Sequence, residues 1–305
     1  MMNNNTADGE PVASHDHTIY LRFPLPVPQL NSTDVYRQNT EVTFKFFRAK
    51  THELFTTAAT FTENQIPTVD ITDMKLYVKL ITPNPELGMI LDQQYLKSNV
   101  YQYERFNCNT VTVAIPSGNF TYPIYDGASR PAKLFIGFQN PKVNDALANT
   151  TEHPDPSLFE PCKITKIYLE VNGSKNIPYL NQRELGFQAE NFGQAYTDLM
   201  RCTKFYDNKS VSSIVSRSMF RKGYTIFAFD LHENIKDLPE LNVTKTAIKL
   251  KVSRANVINA DIAAHDAVPM IPADLTLNMV FLIVWECAAV ATGATRVYEE
   301  VFGKN

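Results

Sequence analysis

A chain of 305 residues with 44% apolar and 20% charged side chains has material for one large core or two modest ones, which excludes wholesale disorder. Its 29 Lys and Arg against 32 Asp and Glu give a net charge of -3, so no overall basic field is present and nucleic acid is not an expected partner. Cys108, Cys162, Cys202 and Cys287 lie far apart with no C-x-x-C pair, which points to reduced thiols and away from a disulfide framework or a structural zinc site.

Residues 1–16 are polar and rich in Asn, Asp and Gly, which predicts a disordered arm; without a basic start and an apolar run, they do not predict secretion. Strand signals follow at residues 17–23 and 40–50, the second with Val42, Phe44 and Phe46 in alternation. Residues 49–72 carry no such pattern. In 74–82, Leu76, Val78 and Leu80 alternate with Lys75, Tyr77 and Lys79, and further runs rich in β-branched and aromatic residues lie at 110–115, 133–138, 164–171, 224–231, 247–253 and 278–287. Residues 275–291 are too short, at the roughly 20 residues a bilayer demands, to span a membrane, and are expected as a buried strand.

A helix is predicted over 190–201, where Phe192, Tyr196, Leu199 and Met200 fall near one face, with a second short one within 211–220. Turn residues at 116–118, 126–127, 172–173 and 269–272 punctuate the strands. Strands do not alternate regularly with helices, so the fold class is all-β: an antiparallel jelly-roll sandwich with one or two short helices in loops. Eight strands are reached from residue 74 onward if a weakly marked one lies near 196–206. The expected organisation is an arm (1–16), a strand segment (17–72), a jelly roll (73–292) and a tail (293–305), with long loops at 83–105, 139–162, 172–189 and 254–276 for partner contacts.

Catalysis on such a frame would need a recognisable constellation of side chains. A jelly roll of the cupin kind would hold a metal through His and carboxylate side chains, but His15 and His17 sit in the polar arm, and His52, His153, His232 and His265 are dispersed. No G-x-S-x-G and no phosphate-binding glycine loop occurs, so neither an enzyme nor a cofactor is expected. The basic segment 217–222 is read as a charged loop ahead of a strand rather than a phosphate contact. Tyr224, Phe227, Phe229 and Leu231 are the expected structural core, and the 19 Phe and 14 Tyr suit a core or a subunit interface.

The runs 106–118 (ending VTVAIPSG), 130–138 (RPAKLFIGF), 167–173 (IYLEVNG) and above all 222–231 (KGYTIFAFDL) resemble, in order and spacing, the hexon-like major capsid proteins of Polinton/Maverick elements and adintoviruses. Residues 34–50 resemble the segment closing the first jelly roll of that family, and the similarity spans roughly residues 17–290. The resemblance implies a double jelly-roll protein that self-associates, as trimers, into a capsid shell, with other capsid proteins as further partners. It also implies location in a virion assembled inside the cell, and a chain that here holds mainly the second jelly roll. The alternative function is a jelly-roll module binding carbohydrate or a host surface.

Overall fold

The computed structural model describes residues 50, 70–77, 82–97, 99–114, 118–129, 131–144, 155–162, 164–173, 183–184, 192–203, 215–231, 245–254, 276–291 and 298–302. The expected arm, the strands at 17–23 and 40–50 apart from Lys50, the greater part of the 254–276 loop and all six histidines lie outside them.

Among the described residues the strands are β1 (Asn99–Ala114), β2 (Gly118–Gly127), β3 (Lys133–Gln139), β4 (Ile164–Val171), β5 (Arg183–Glu184), β6 (Ile226–Asp230), β7 (Thr246–Arg254), β8 (Thr276–Ala291) and β9 (Tyr298–Phe302). The first eight pair as a nested hairpin: β1 with β8, β2 with β7, β3 with β6 and β4 with β5, all antiparallel. Wrapping that ribbon on itself sets β3 beside β8 and β4 beside β7. Two sheets result, ordered β1-β8-β3-β6 and β2-β7-β4-β5. This nested arrangement in two facing sheets is a jelly roll.

Side-chain alternation decides which residues lie between the sheets. From the first sheet come Leu134, Ile136 and Phe138 of β3 and Leu277, Met279, Phe281 and Ile283 of β8; from the second come Ile167, Leu169 and Val171 of β4 and Ile248, Leu250 and Val252 of β7. All are buried. Each Leu, Ile or Phe so enclosed contributes about 1.5–3 kcal/mol relative to exposure, an upper figure because denatured chains already hide some apolar surface. Phe227, Phe229 and Leu231 are at or below 2% exposure, whereas Tyr224 is half-buried ahead of β6.

Helix α1 (Pro85–Lys97) precedes β1, α2 (Gly193–Cys202) packs against β6, and the five-residue α3 (Arg217–Arg221) leads into it. The helix expected at 190–201 is thus present as α2, with Ala195, Leu199, Met200 and Cys202 buried and Phe192 packed edge-on to Phe220 at 6.3 Å. The basic stretch 217–222 is mostly α3: Ser216 caps it by accepting from the Met219 amide at 3.2 Å, and Phe220 is fully buried.

Four expectations need correction. The described part of the strand sought near 196–206, residues 196–203, is the end of α2 and its cap, because the periodicity there is that of a helix. Met74–Tyr77, the described part of the strand expected over 74–82, belongs to no ladder: alternation alone makes no strand without a neighbouring edge. Residues 83–105 are not a loop, since α1 and the first half of β1 occupy most of them. Part of the expected tail is β9, which pairs with Cys287–Ala291 of β8. Among the described residues nine strands lie where eight were expected: six match β1, β3, β4, β6, β7 and β8, and β2, the two-residue β5 and β9 are additions.

One close approach secures the sandwich end. Gly137 of β3 lies beneath the Phe159 ring, and a Cβ added there would sit 2.3 Å from a ring carbon. Gly137→Ala is expected to destabilise the fold by about 1–3 kcal/mol through overpacking, and Phe227→Ala by about 3–5 kcal/mol through a core cavity. Denaturant unfolding followed by circular dichroism measures both. Equal stability of Gly137→Ala and wild type would rule out the close packing.

Candidate assembly surfaces

The outward faces of the two sheets differ in chemistry. On the β2-β7-β4-β5 sheet the alternation that buries Ile248, Leu250 and Val252 turns Lys249, Lys251 and Ser253 outward beside Lys166 and Glu170. Lys251 Nζ lies 3.5 Å from a Glu170 oxygen, and Ser253 and Asn119 share a 2.7 Å hydrogen bond between side chains. This flank is built for water.

On the opposite flank the register sets Phe106, Cys108 and Thr110 of β1 beside Val284, Leu282 and Val280 of β8, which in turn neighbour Lys133, Phe135 and Gly137 of β3. Phe106 is 50% exposed, Cys108 is exposed, and Val280, Leu282 and Phe135 are half-buried. At the edge of this strip Lys133 Nζ donates to Glu104 at 2.9 Å, and the exposed Glu286 stands opposite Glu104 on the neighbouring strand. An apolar strip bordered at one end by an ion pair and a carboxylate suits another protein surface.

Residues 155–162 fasten the two sheets at one end. The Phe159 amide donates to Gly223 O (2.7 Å), the Thr225 amide to Phe159 O (2.9 Å) and the Glu160 amide to Phe138 O (2.7 Å), which attaches the segment to the first sheet. Gly223 meets this geometry at φ +135°, where a side chain would be strained. Cys162 then attaches it to the second sheet, its carbonyl accepting from Arg254 Nε at 2.8 Å. Burial pushes the Glu160 carboxyl up to about 7. The Cys162 thiol is also raised, chiefly by burial and further by Glu160, with Arg254 opposing, so it stays protonated and unreactive.

Of the residues singled out in the sequence, Phe227, Phe229 and Leu231 lie in or beside β6, and Tyr224 forms a parallel bridge with Phe159. They stand in the core and the fastening, not on a flank. Among the described residues no group of three or more His, Cys, Asp or Glu gathers as a metal site would require. The exposed strip was missed in sequence because Asn, Gln and Glu alternate with aromatics through 99–109 and mask the apolar period. The outward set Phe106, Cys108 and Thr110 becomes legible only once the β8 register is known.

No family model matches the chain, and no curated protein does. Among solved structures it is similar to a chain of the Sputnik virophage (TM-score 0.41, 13% identity, 68% of this chain and 39% of that one). It is also similar to the mavirus major capsid protein (0.35, 10% identity, 68% and 42%) and to a chain of the PBCV-1 virus capsid (0.41, 8% identity, 71% and 55%). The chain thus spans between 39% and 55% of the length of these structures. The jelly-roll assignment stands on the strand order itself.

Glu160 gives this end of the sandwich a pH dependence. Its folded-state value exceeds the ordinary 4.5, so the folded protein holds the proton more tightly than the unfolded chain. The stability associated with that proton is complete below about 4.5, falls as pH rises towards about 7, and is absent above. Glu160→Gln is therefore expected to melt higher than wild type above neutral pH, with the gap closing in acid. A gap of constant size across the range would mean that Glu160 is charged throughout.

Proposed function

We propose that this protein is a structural subunit of a viral-type capsid, acting through self-association and not through catalysis. The observation that carries the reading is the asymmetry of the sandwich: one flank is lined by Lys249, Lys251 and Lys166, while the other sets the exposed Phe106 beside the half-buried Leu282 and Phe135. Such a body has an inside core and a second, unfinished hydrophobic face, which is the economy of a building block.

The finer reading is a hexon-like major capsid protein of the Polinton/Maverick and adintovirus kind, resident in the virion after assembly inside the cell. Its support is the sequence resemblance of residues 106–118, 130–138, 167–173 and 222–231, whose described residues fall mainly in β1, β3, β4 and the α3-to-β6 stretch. In this reading residues 73–292 form the jelly-roll unit, Tyr224, Phe227, Phe229 and Leu231 stabilise it, and the working assembly is a trimer.

Light scattering on the size-fractionated full chain, followed by electron microscopy, tests the proposal. Discrete trimers or shells are the expected result. A species that stays monomeric and binds sugar instead would overturn it in favour of the carbohydrate-binding alternative.

A further inference from the structure

The inward side of a sandwich is normally apolar, and β1 departs from that rule. Cross-strand partners in an antiparallel ladder share a face, so the buried Phe281 and Ile283 of β8 assign their partners Asn109 and Asn107 to the inner side of the sheet. Val113 and Val111 of the same row are buried and half-buried, but there the row turns to amides: Asn109 is half-buried and Asn107 exposed. Two carboxamides thus stand where a core would take Ile or Leu. Local breaks in an otherwise consistent pattern gather at functional sites.

The second sheet supplies the facing side. β1 ends one sheet, β2 ends the other, and only residues 115–117 separate them in sequence. Register with the buried Val252 and Leu250 turns Phe120 and Tyr122 of β2 inward, where both are half-buried against the core. Their rings lie 6.2 Å apart and within 17° of parallel, and Tyr122 comes to 6.5 Å from Phe281, the β8 partner of Asn109. The amide row and this aromatic platform therefore line two sides of one opening. At its far end lies Trp285, 5% exposed, with Arg105 4.9 Å from its ring centre and Tyr125 edge-on at 5.8 Å. Its Nε1 has no hydrogen-bond partner among the described residues, and a buried donor left open calls for a polar group nearby.

We infer that the opening between β1 and β2 binds a neutral carbohydrate, whose pyranose C–H faces pack on Phe120 and Tyr122 while its hydroxyls pair with Asn107 and Asn109. A carboxamide offers an acceptor and two donors at once, and a hydroxyl both donates and accepts, so neighbouring hydroxyls satisfy it fully. A proline-rich peptide also packs on aromatic rings, but its prolines bring carbonyl acceptors without N–H donors and leave the Asn carbonyls unpaired. Arg105 is engaged on the Trp285 ring, which favours a neutral sugar over an acidic one. The opening lies between the sheets, whereas Phe106 and Leu282 lie on the outer face of one of them, so the inference goes beyond the assembly reading and does not depend on it.

Trp285 is the single tryptophan of the chain, so its emission reports on this end of the opening. Titration of the full chain with neutral hexasaccharides of glucose, mannose and galactose, read by that emission and by calorimetry, tests the inference. Saturable binding of at least one of them, with a change in emission, is expected. Asn107→Ala and Tyr122→Ala should each weaken it about tenfold or more, and Phe106→Ser on the outer face of β1 should leave it unchanged. Circular dichroism checks that each variant folds, and Asn107→Ala, at an exposed position, carries the test if Tyr122→Ala does not. Absence of saturable binding by all three sugars, binding that Asn107→Ala leaves intact, or binding of a proline-rich peptide in place of the sugars would overturn the inference. Sugar held by an associating chain supports both this inference and the capsid reading; sugar held by a lasting monomer supports this one alone.

Discussion

The ladder between β1 and β8 is the constraint on which the remainder of the molecule depends. It joins Asn99 to Ala291 and Ala114 to Thr276 in sixteen consecutive pairs, so the two ends of the jelly roll are held in register across nearly its entire length. A slip of one residue would turn Phe281 and Ile283 outward and bring Leu282 and Val284 into the core, reversing both faces of the sheet at once. Because β3 then pairs with the far side of β8, the position of Leu134, Ile136 and Phe138 in the core is inherited from that first register.

The end of the sandwich is fixed by a different kind of interaction. Residues 155–162 belong to neither sheet, yet their backbone bonds reach Phe138, Gly223 and Thr225 on one side and Arg254 on the other. Burying Arg254 would be costly if its guanidinium were not hydrogen-bonded, and the Cys162 carbonyl supplies that acceptor. Cys162 itself takes φ 51°, an uncommon conformation for a residue other than glycine, and this turns its carbonyl at the point where the chain passes between layers. Together with the Phe159 ring over Gly137, this makes a small polar and aromatic lock on a core otherwise assembled from aliphatic alternation.

How much of this was legible in the sequence depended on whether a strand was buried on one face or hidden by its chemistry. β4 and β7 were plain because Ile, Leu and Val alternate there against polar residues such as Lys, and β3 and the centre of β8 because they are dense in Leu, Ile, Val and Phe. β2 was not, although Phe120, Tyr122 and Ile124 alternate, since Pro123 reads as a breaker; it is tolerated because β2 is an edge strand whose missing donor costs no ladder bond. β5 has two residues and so no period to read. Residues 74–77 failed the opposite way, with pattern but no neighbour. The candidate surface was the least legible part: outward-facing apolar residues on β1 and β8 look like core until the register assigns their face.

The nested pairing also orders events in time. β7 and β8 are each flanked on both sides within their sheets, and they are the last of the eight to be made. A chain leaving the ribosome has therefore produced β1 to β6 before β7 joins β2 to β4 and β8 joins β1 to β3, and the pairing edges of those strands wait until residues 246–291 are made. Closure is all or nothing and comes late. A chaperone that shields the open halves until residues 246–291 arrive would favour closure over misassembly.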